Sequence, residues 1–448
     1  MATVFGTDGV RGKANQGLLS PKGGVRLGLA IAHTLRKSTG ETPHLVIGRD
    51  PRRSGQMLEA AILAGITAGG ADIERLGIVP TPVTSLLTRL RSADAGIMVT
   101  ASHNPAADNG IKIFGPDGAK ISDQLQAEVV NALASPSDAY HSAPLAIGSI
   151  VDPDGSAQQQ YLDYVCRSIG EARPFEGVRL VFDGAHGASA EIGPQLFRRL
   201  GAEVLEIGTS PNGLNINDKV GSTAPDALCG AVSDHSADIG IAMDGDADRL
   251  LIVDEAGAVI DGDQVIAALS RDMKTRGVLA SNRVVTTVMS NLKLEHYLET
   301  IGLGLVRTPV GDRHVAAAMR RLGANLGGES SGHIILSDHV PSGDGPLSAV
   351  HALAAWRRHG GPASEAFAVF EPAAQTLINV RYGDTDPLLR DDLQNEIEAT
   401  TARLEKTGRV LIRKSGTEPL IRIMVEAETK EIADREASHL ARVTRELA

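Results

Sequence analysis

Short apolar runs alternate along most of the chain with longer segments whose apolar residues recur every three or four positions. This pattern predicts strands laid in a mostly parallel sheet with helices on its faces. Residues 44–70 show it in one stretch. HLVIGRD reads as a buried strand leaving through a polar loop, and Ser54 stands where the N-cap of the next helix is expected. Leu58, Ile62 and Ile66 then form one apolar stripe, and Gly69-Gly70 supply the stop. GADIERLGIVPTP follows as another strand.

The phrase returns. GADIERLGIVPTP at 70–82 is echoed by GAEVLEIGTSP at 201–211 and more faintly by LGLVRTPVG at 303–311. SADAGIMVTAS at 92–102 aligns with SADIGIAMDGD at 236–246, placing Ser102 opposite Asp246. Two echoes in the same order predict three related α/β units, each presenting a loop beyond a strand end, where open sheets place their ligand sites. From about 375 the order changes to strand (TLINVRY), helix (386–403), strand (VLIRK), strand (LIRIMVEAE) and helix (430–447), which predicts an α+β unit with antiparallel pairing.

At roughly 150 residues per domain, 448 residues accommodate these four units. Linker composition at 134–149 and 370–375, with a third join near 254–260, sets the expected domains at 1–150, 151–255, 256–370 and 371–448. Net charge is −11 with acids spread throughout, so neither a nucleic-acid surface nor an anionic-membrane footprint is expected, and an anionic substrate needs local basic residues. Cys166 and Cys229 are too few for a disulfide framework or a four-ligand zinc site and fit a reducing compartment. No secretory pattern opens the sequence and no run reaches about 18 apolar residues, so the cytoplasm is the expected location.

Four loops carry candidate chemistry. In TASHNP (100–105) an apolar strand ends in Ser102, an exposed nucleophile or simply a turn satisfying its own hydrogen bonds. His103 is adjacent, but neighbouring side chains of an extended segment point apart, so adjacency alone makes no catalytic pair. In MDGDADR (243–249) Asp244, Asp246 and Asp248 repel one another unless a cation sits among them, and such hard oxygen ligands suit Mg2+ or Ca2+. An EF-hand is excluded by Arg249 at the position that needs glycine and by the flanking strands. GGESSGH (327–333) contains a G-x-S-x-G spacing from Gly328 to Gly332, but HIILS follows as a strand where a nucleophile elbow needs a helix. Glu329, Ser331 and His333 read instead as donors and acceptors for sugar hydroxyls. In RKSGTEPLIR (413–422) Arg413, Ser415, Thr417 and Arg422 surround Gly416, a basic cluster suited to an unreactive phosphate. Nucleophile, cation cage, hydroxyl reader and phosphate anchor are together the parts of phosphoryl transfer to a phosphorylated sugar, with Arg249 and Lys112 as candidates to stabilise the phosphoryl in flight.

FGTDGVRG, TASHNP, DGDADR, GESSGH and RKSGTEP, in this order and separation, resemble the α-D-phosphohexomutase superfamily over essentially the full length. The resemblance implies three related α/β mixed-sheet domains plus a C-terminal α+β domain around a central cleft, with one loop from each. It implies Ser102 as a phosphoserine that ligates one Mg2+ per subunit with Asp244, Asp246 and Asp248. It also implies Lys112, Arg249, His103 and Arg11 in the catalytic set, Glu329, Ser331 and His333 on the sugar, and Arg413, Ser415, Gly416, Thr417 and Arg422 on the phosphate. TPVGDRHV (308–315) is similar to the members acting on glucosamine phosphates, which adds Asp312 and Arg313 as substrate contacts, although Ser330 replaces a common glutamine. The reaction so implied interconverts glucosamine 6-phosphate and glucosamine 1-phosphate through glucosamine 1,6-bisphosphate, as intermediate and activator, and supplies UDP-N-acetylglucosamine and peptidoglycan synthesis. A glucose or mannose enzyme of the same superfamily is the alternative. A small phosphosugar is the expected partner, on a monomer or homodimer. Lys112 and His333 are both candidates for the general base.

Overall fold

A computed structural model describes residues 5–6, 8–135, 137–383, 386–414 and 420–448. Two compact units are present: one of residues 1–287 and 306–368, the other of residues 288–305 and 369–448.

The larger unit carries related mixed sheets. In the first, strands Asp72–Ile78, His44–Arg49 and Ala95–Val99 run parallel, and Asp108–Phe114 and Val10–Lys13 add antiparallel strands beyond Ala95–Val99. The second repeats the scheme, with Glu203–Ile207, Arg179–Asp183 and Ile239–Met243 parallel, then Leu250–Asp254 and Val259–Ile260 antiparallel. That sheet therefore extends to Ile260, past residue 255. In the third, Arg283–Thr287 pairs parallel with Leu326–Gly328, which pairs antiparallel with Ile334–Leu336. Every residue of Ala95–Val99 and Ile239–Met243 is buried, as expected of strands covered on both faces.

Helix Pro21–Thr39 lies against helix Arg53–Ala68 with backbones nearly touching. A Cβ on Gly65 would fall 2.1 Å from Val25 O, so no larger residue fits without separating the pair. Leu58, Ile62 and Ile66 are fully buried, and the helix ends at Gly69 with Gly70 at φ 79°, as the sequence predicts. Ser54 is not its N-cap. Arg52 holds that position without a capping side chain, and Ser54 Oγ accepts instead from Asn109 Nδ2 at 2.8 Å.

In the smaller unit, strands Ala374–Arg381, Leu420–Ala427 and Arg409–Lys414 form an antiparallel sheet with Leu420–Ala427 central. Helix Lys430–Glu446 places Ala433, Ala437, Leu440 and Ala441 on its core, beside Ile421, Ile423 and Val425. The preceding helix begins at Asp391 rather than 386, because Pro387 opens a separate 3-10 turn over Pro387–Leu389.

All four chemistry-bearing loops occupy one topological position, the link between two antiparallel neighbours. They fall between Val99 and Asp108, Met243 and Leu250, Gly328 and Ile334, and Lys414 and Leu420.

Candidate active site

Within the larger unit the first three loops converge. Ser102 is buried with φ 51°, a backbone conformation that costs a serine about 1–3 kcal/mol and persists only where its surroundings enforce it. Its Oγ donates to Asp244 Oδ2 at 2.5 Å. His103 Nδ1 lies 3.3 Å from the same oxygen, contrary to the expectation that the two side chains diverge, because the left-handed turn at Ser102 replaces extended backbone.

Asp244, Asp246 and Asp248 present oxygens within 4.8 Å of one another, and all three are buried. Lys112 Nζ, itself buried, donates to Asp246 Oδ2 and Asp248 Oδ2, each at 2.7 Å. Thr81 Oγ1 donates to Asp246 Oδ2 at 2.5 Å. Asp246 Oδ1 and Asp248 Oδ1 are buried without a hydrogen-bond partner among the described residues. Two orphaned carboxylate oxygens beside a third acid are what a divalent cation requires, so the residues present fit the expected Mg2+. Electrostatics agree: burial, then Asp248 and Asp246, push Asp244 up to about 8, a charge conflict that a cation would relieve.

Around this cage runs a closed ring of alternating charge. Lys112 reaches Asp248, whose Oδ1 lies 3.7 Å from His333 Nδ1; His333 Nε2 lies 3.4 Å from Asp312 Oδ2; Asp312 pairs with Lys120 at 2.6 Å; and Lys120 pairs with Asp8, which returns to Lys112 at 3.4 Å. Asp8 also pairs with Arg11. Burial opposes the charged forms, yet Asp246 and Asp248 raise Lys112 well above its ordinary value, and Lys112 and His333 hold Asp248 well below the carboxylate range. His333 is likewise penalised by burial, but Asp248 and Asp312 lift it to about 9. Gly343 N also lies 3.1 Å from Nε2, a contact that only the neutral ring can accept and that the protonated ring exchanges for Asp312. His103 behaves oppositely, since burial and then Arg249 and Arg11 lower it to about 4.

Arg11 Nη1 donates to Ala101 O at 3.2 Å, whereas Nε of Arg11 and Nε of Arg249 are buried and unpartnered among the described residues. Two such cations beside Ser102 suit an incoming anion. Glu329 Oε1 accepts from Gly311 N at 3.2 Å, and Ser331 is exposed. Arg313 is not brought to the ring: its Nη1 donates to Asp123 Oδ1 at 3.1 Å, beside a cavity of about 570 Å3 that shares Lys120 and Asp312 with the ring.

The smaller unit places Arg413 directly opposite Arg422 on adjacent strands. Burial, then Arg422, lowers Arg413, and Arg422 Nε is buried without a partner among the described residues. Like charges set opposite each other destabilise a sheet unless an anion joins them. Ser415, Gly416 and Thr417 lie outside the described residues. Sequence reasoning missed Asp8, Lys120, Thr81, Arg52 and Asn217. Asp8 stands inside FGTDGVRG and was open to the same reading as Arg11, whereas the others carry no local signal.

Profiles of the phosphoglucomutase/phosphomannomutase family match in four pieces: α/β/α domain I over residues 2–139, domain II over 159–257, domain III over 261–373 and the C-terminal domain over 377–443. The chain belongs to this family of phosphohexomutases, and its full-length relatives include phosphoglucosamine mutases. That of Paracoccus denitrificans is 48% identical over 430 residues, 96% of each chain. A phosphoglucomutase/phosphomannomutase family protein from Burkholderia thailandensis has the same fold, with a TM-score of 0.83 at 24% identity over 99% of this chain and 97% of that one. N-acetylphosphoglucosamine mutase of Aspergillus fumigatus, solved with GlcNAc-6P and magnesium, superposes with a TM-score of 0.65 at 19% identity, covering 94% and 99%. Among the described residues no helix is long and apolar enough to cross a membrane.

Proposed function

We propose that this enzyme interconverts glucosamine 6-phosphate and glucosamine 1-phosphate by passing a phosphoryl group between Ser102 and the sugar. The phosphoglucosamine mutase activity itself follows from full-length relatives near half identity. What carries the residue-level reading is the 2.5 Å contact of Ser102 Oγ with Asp244, inside a cage whose other two acids each keep an unpartnered oxygen.

Phosphoserine 102 gives its phosphoryl to the free hydroxyl of the bound sugar phosphate: the Oγ–P bond breaks, a sugar O–P bond forms, and the hydroxyl proton leaves to a base. The bisphosphorylated sugar then turns over and returns its other phosphoryl to Ser102, regenerating the enzyme and releasing the isomer. Asp244, Asp246 and Asp248 would hold Mg2+, which supplies charge neutralisation at the transferring oxygens. Arg11 and Arg249 orient the equatorial oxygens through their unpartnered N–H groups. Lys112 and His333 are kept protonated by the carboxylates around them and so stabilise charge or donate protons, while neutral His103, 3.3 Å from Ser102 Oγ, is the group placed to accept one. Glu329, Ser331 and Asp312 form the sugar-facing set, Arg313 being held apart by Asp123, and Arg413 and Arg422, with Ser415, Gly416 and Thr417, take the idle phosphate. A reducing compartment, the cytoplasm, which the two free cysteines fit, completes the proposal.

A linked-enzyme assay on glucosamine 6-phosphate, primed with the bisphosphate, compares the natural protein with Ser102→Ala. Loss of at least a thousandfold in turnover, together with loss of the phosphoryl group seen by mass spectrometry, is expected. Full activity in the variant overturns the mechanism. Glucose 1-phosphate and mannose 1-phosphate run in parallel decide the substrate class.

A further inference from the structure

Beneath the Ser102 loop lies a cation that none of this chemistry uses. Arg52 is completely buried, and each of its five guanidinium N–H groups has an acceptor. Nε donates to Asp50 Oδ2 at 2.8 Å, Nη1 to Pro105 O at 2.5 Å and Asp108 O at 3.1 Å, and Nη2 to Ser102 O at 2.9 Å and Asn104 O at 2.7 Å. Four main-chain carbonyls of one loop thus hang from a single planar fork. The other side of Ser102 is tied to the same pair: Ser102 N donates to Thr100 Oγ1 at 3.0 Å, which donates to Asp50 Oδ2 at 2.7 Å. The second domain adds its own grip. Asn217 Nδ2 donates to Ser102 O at 2.9 Å and to Asn104 O at 3.1 Å, the two carbonyls that Arg52 Nη2 also takes.

Both main-chain groups of Ser102 are therefore fixed, and Oγ is left as the group that meets Asp244. The left-handed conformation at this residue is one the chain would leave if the carbonyls were released, and Oγ would then swing away from Asp244. Structural support of a loop needs neither five donors on one group nor a second domain reading the same two oxygens. We propose that Arg52, backed by Asn217, is the positioning residue of the phosphoryl-transfer step, holding the Ser102 oxygen in line with the acid cage without touching substrate. This rests on Ser102 as the group that carries the phosphoryl.

Arg52→Lys keeps the charge beside Asp50 and loses the fork, so it separates electrostatics from geometry. Turnover per phosphoserine, counted by mass spectrometry, is the readout, because a variant that merely folds less well has fewer active sites of unchanged rate. Arg52→Lys is expected to lower kcat per phosphoserine about a hundredfold with KM for the sugar phosphate within twofold. Asn217→Ala is expected to lower it about tenfold, and the double variant by less than the product. Should Arg52→Lys not fold, Asn217→Ala alone decides. A kcat per phosphoserine within threefold of the natural protein in the folded variant, or KM rising in step with the loss of kcat, overturns the assignment. Absence of phosphoserine from the natural protein would instead sink the mutase mechanism and leave the clamp a structural feature.

Discussion

Lys112→Met tests the cage from its own counter-ion. The ammonium is buried 2.7 Å from both Asp246 and Asp248, and at an effective dielectric of about 20 each contact corresponds to roughly 6 kcal/mol before the cost of dehydration. Removing one partner of a buried pair leaves uncompensated carboxylates, which costs about 3–5 kcal/mol, or about 4–7 °C in Tm for a unit of this size. The same deletion removes a cation that competes with Mg2+ for the acid cluster. Thermal unfolding in EDTA and in saturating Mg2+ should therefore show a large deficit without metal, at least half of it recovered with metal, and a Mg2+ affinity about tenfold tighter than in the natural protein. Turnover is expected to fall about 10²- to 10⁴-fold even with metal bound, because the transferring group loses a proton donor or charge stabiliser. Equal Mg2+-induced shifts in Tm for the two proteins would refute the idea that Lys112 and the metal share Asp246 and Asp248.

His333, lifted to about 9 in the folded protein, contributes stability that is fully present below its unfolded value near 6.5 and is lost as pH rises through about 9. Urea unfolding without divalent cation should lose up to about 3 kcal/mol over that window, and His333→Gln should flatten the slope. A Cβ on Gly245 would sit 2.5 Å from Ser102 O and 2.8 Å from Asn217 Nδ2. Gly245→Ala should therefore keep the fold by circular dichroism yet lose at least a hundredfold in kcat, and near-normal turnover would show that the serine loop tolerates displacement from the acids. Chelation should abolish turnover reversibly, with Mg2+ restoring it; turnover unaffected by exhaustive EDTA would exclude the cation cage from the reaction.

The sheets were legible because period and repeat reinforced each other: Leu58, Ile62 and Ile66 announced one helix, and the alignment of Ser102 with Asp246 announced equivalent strands. Groups acting through local chemistry were legible too, since three alternating aspartates after a strand demand an explanation wherever they fold. Partners far apart in sequence were not. Nothing near Lys120 signals that it links Asp8 to Asp312, which is 192 residues away from it, and Arg52 reads as a helix-start arginine until the chain folds over it. The same limit explains Ser54, whose hydroxyl is taken by Asn109, 55 residues further along the chain. His103 approaches Ser102 Oγ because the chain reverses at Ser102, where an extended strand would set the two side chains on opposite faces.

A hairpin link confines change. Its two ends are pinned by strands about 5 Å apart, so side chains between them can be exchanged without the sheet having to re-register. Substitutions at 329–331 need not disturb residues 100–107, because the two stretches hang from different sheets, whereas His333 is held in the ring around the acids and is not free to change. Substrate preference and the transfer step can diverge independently, one loop at a time.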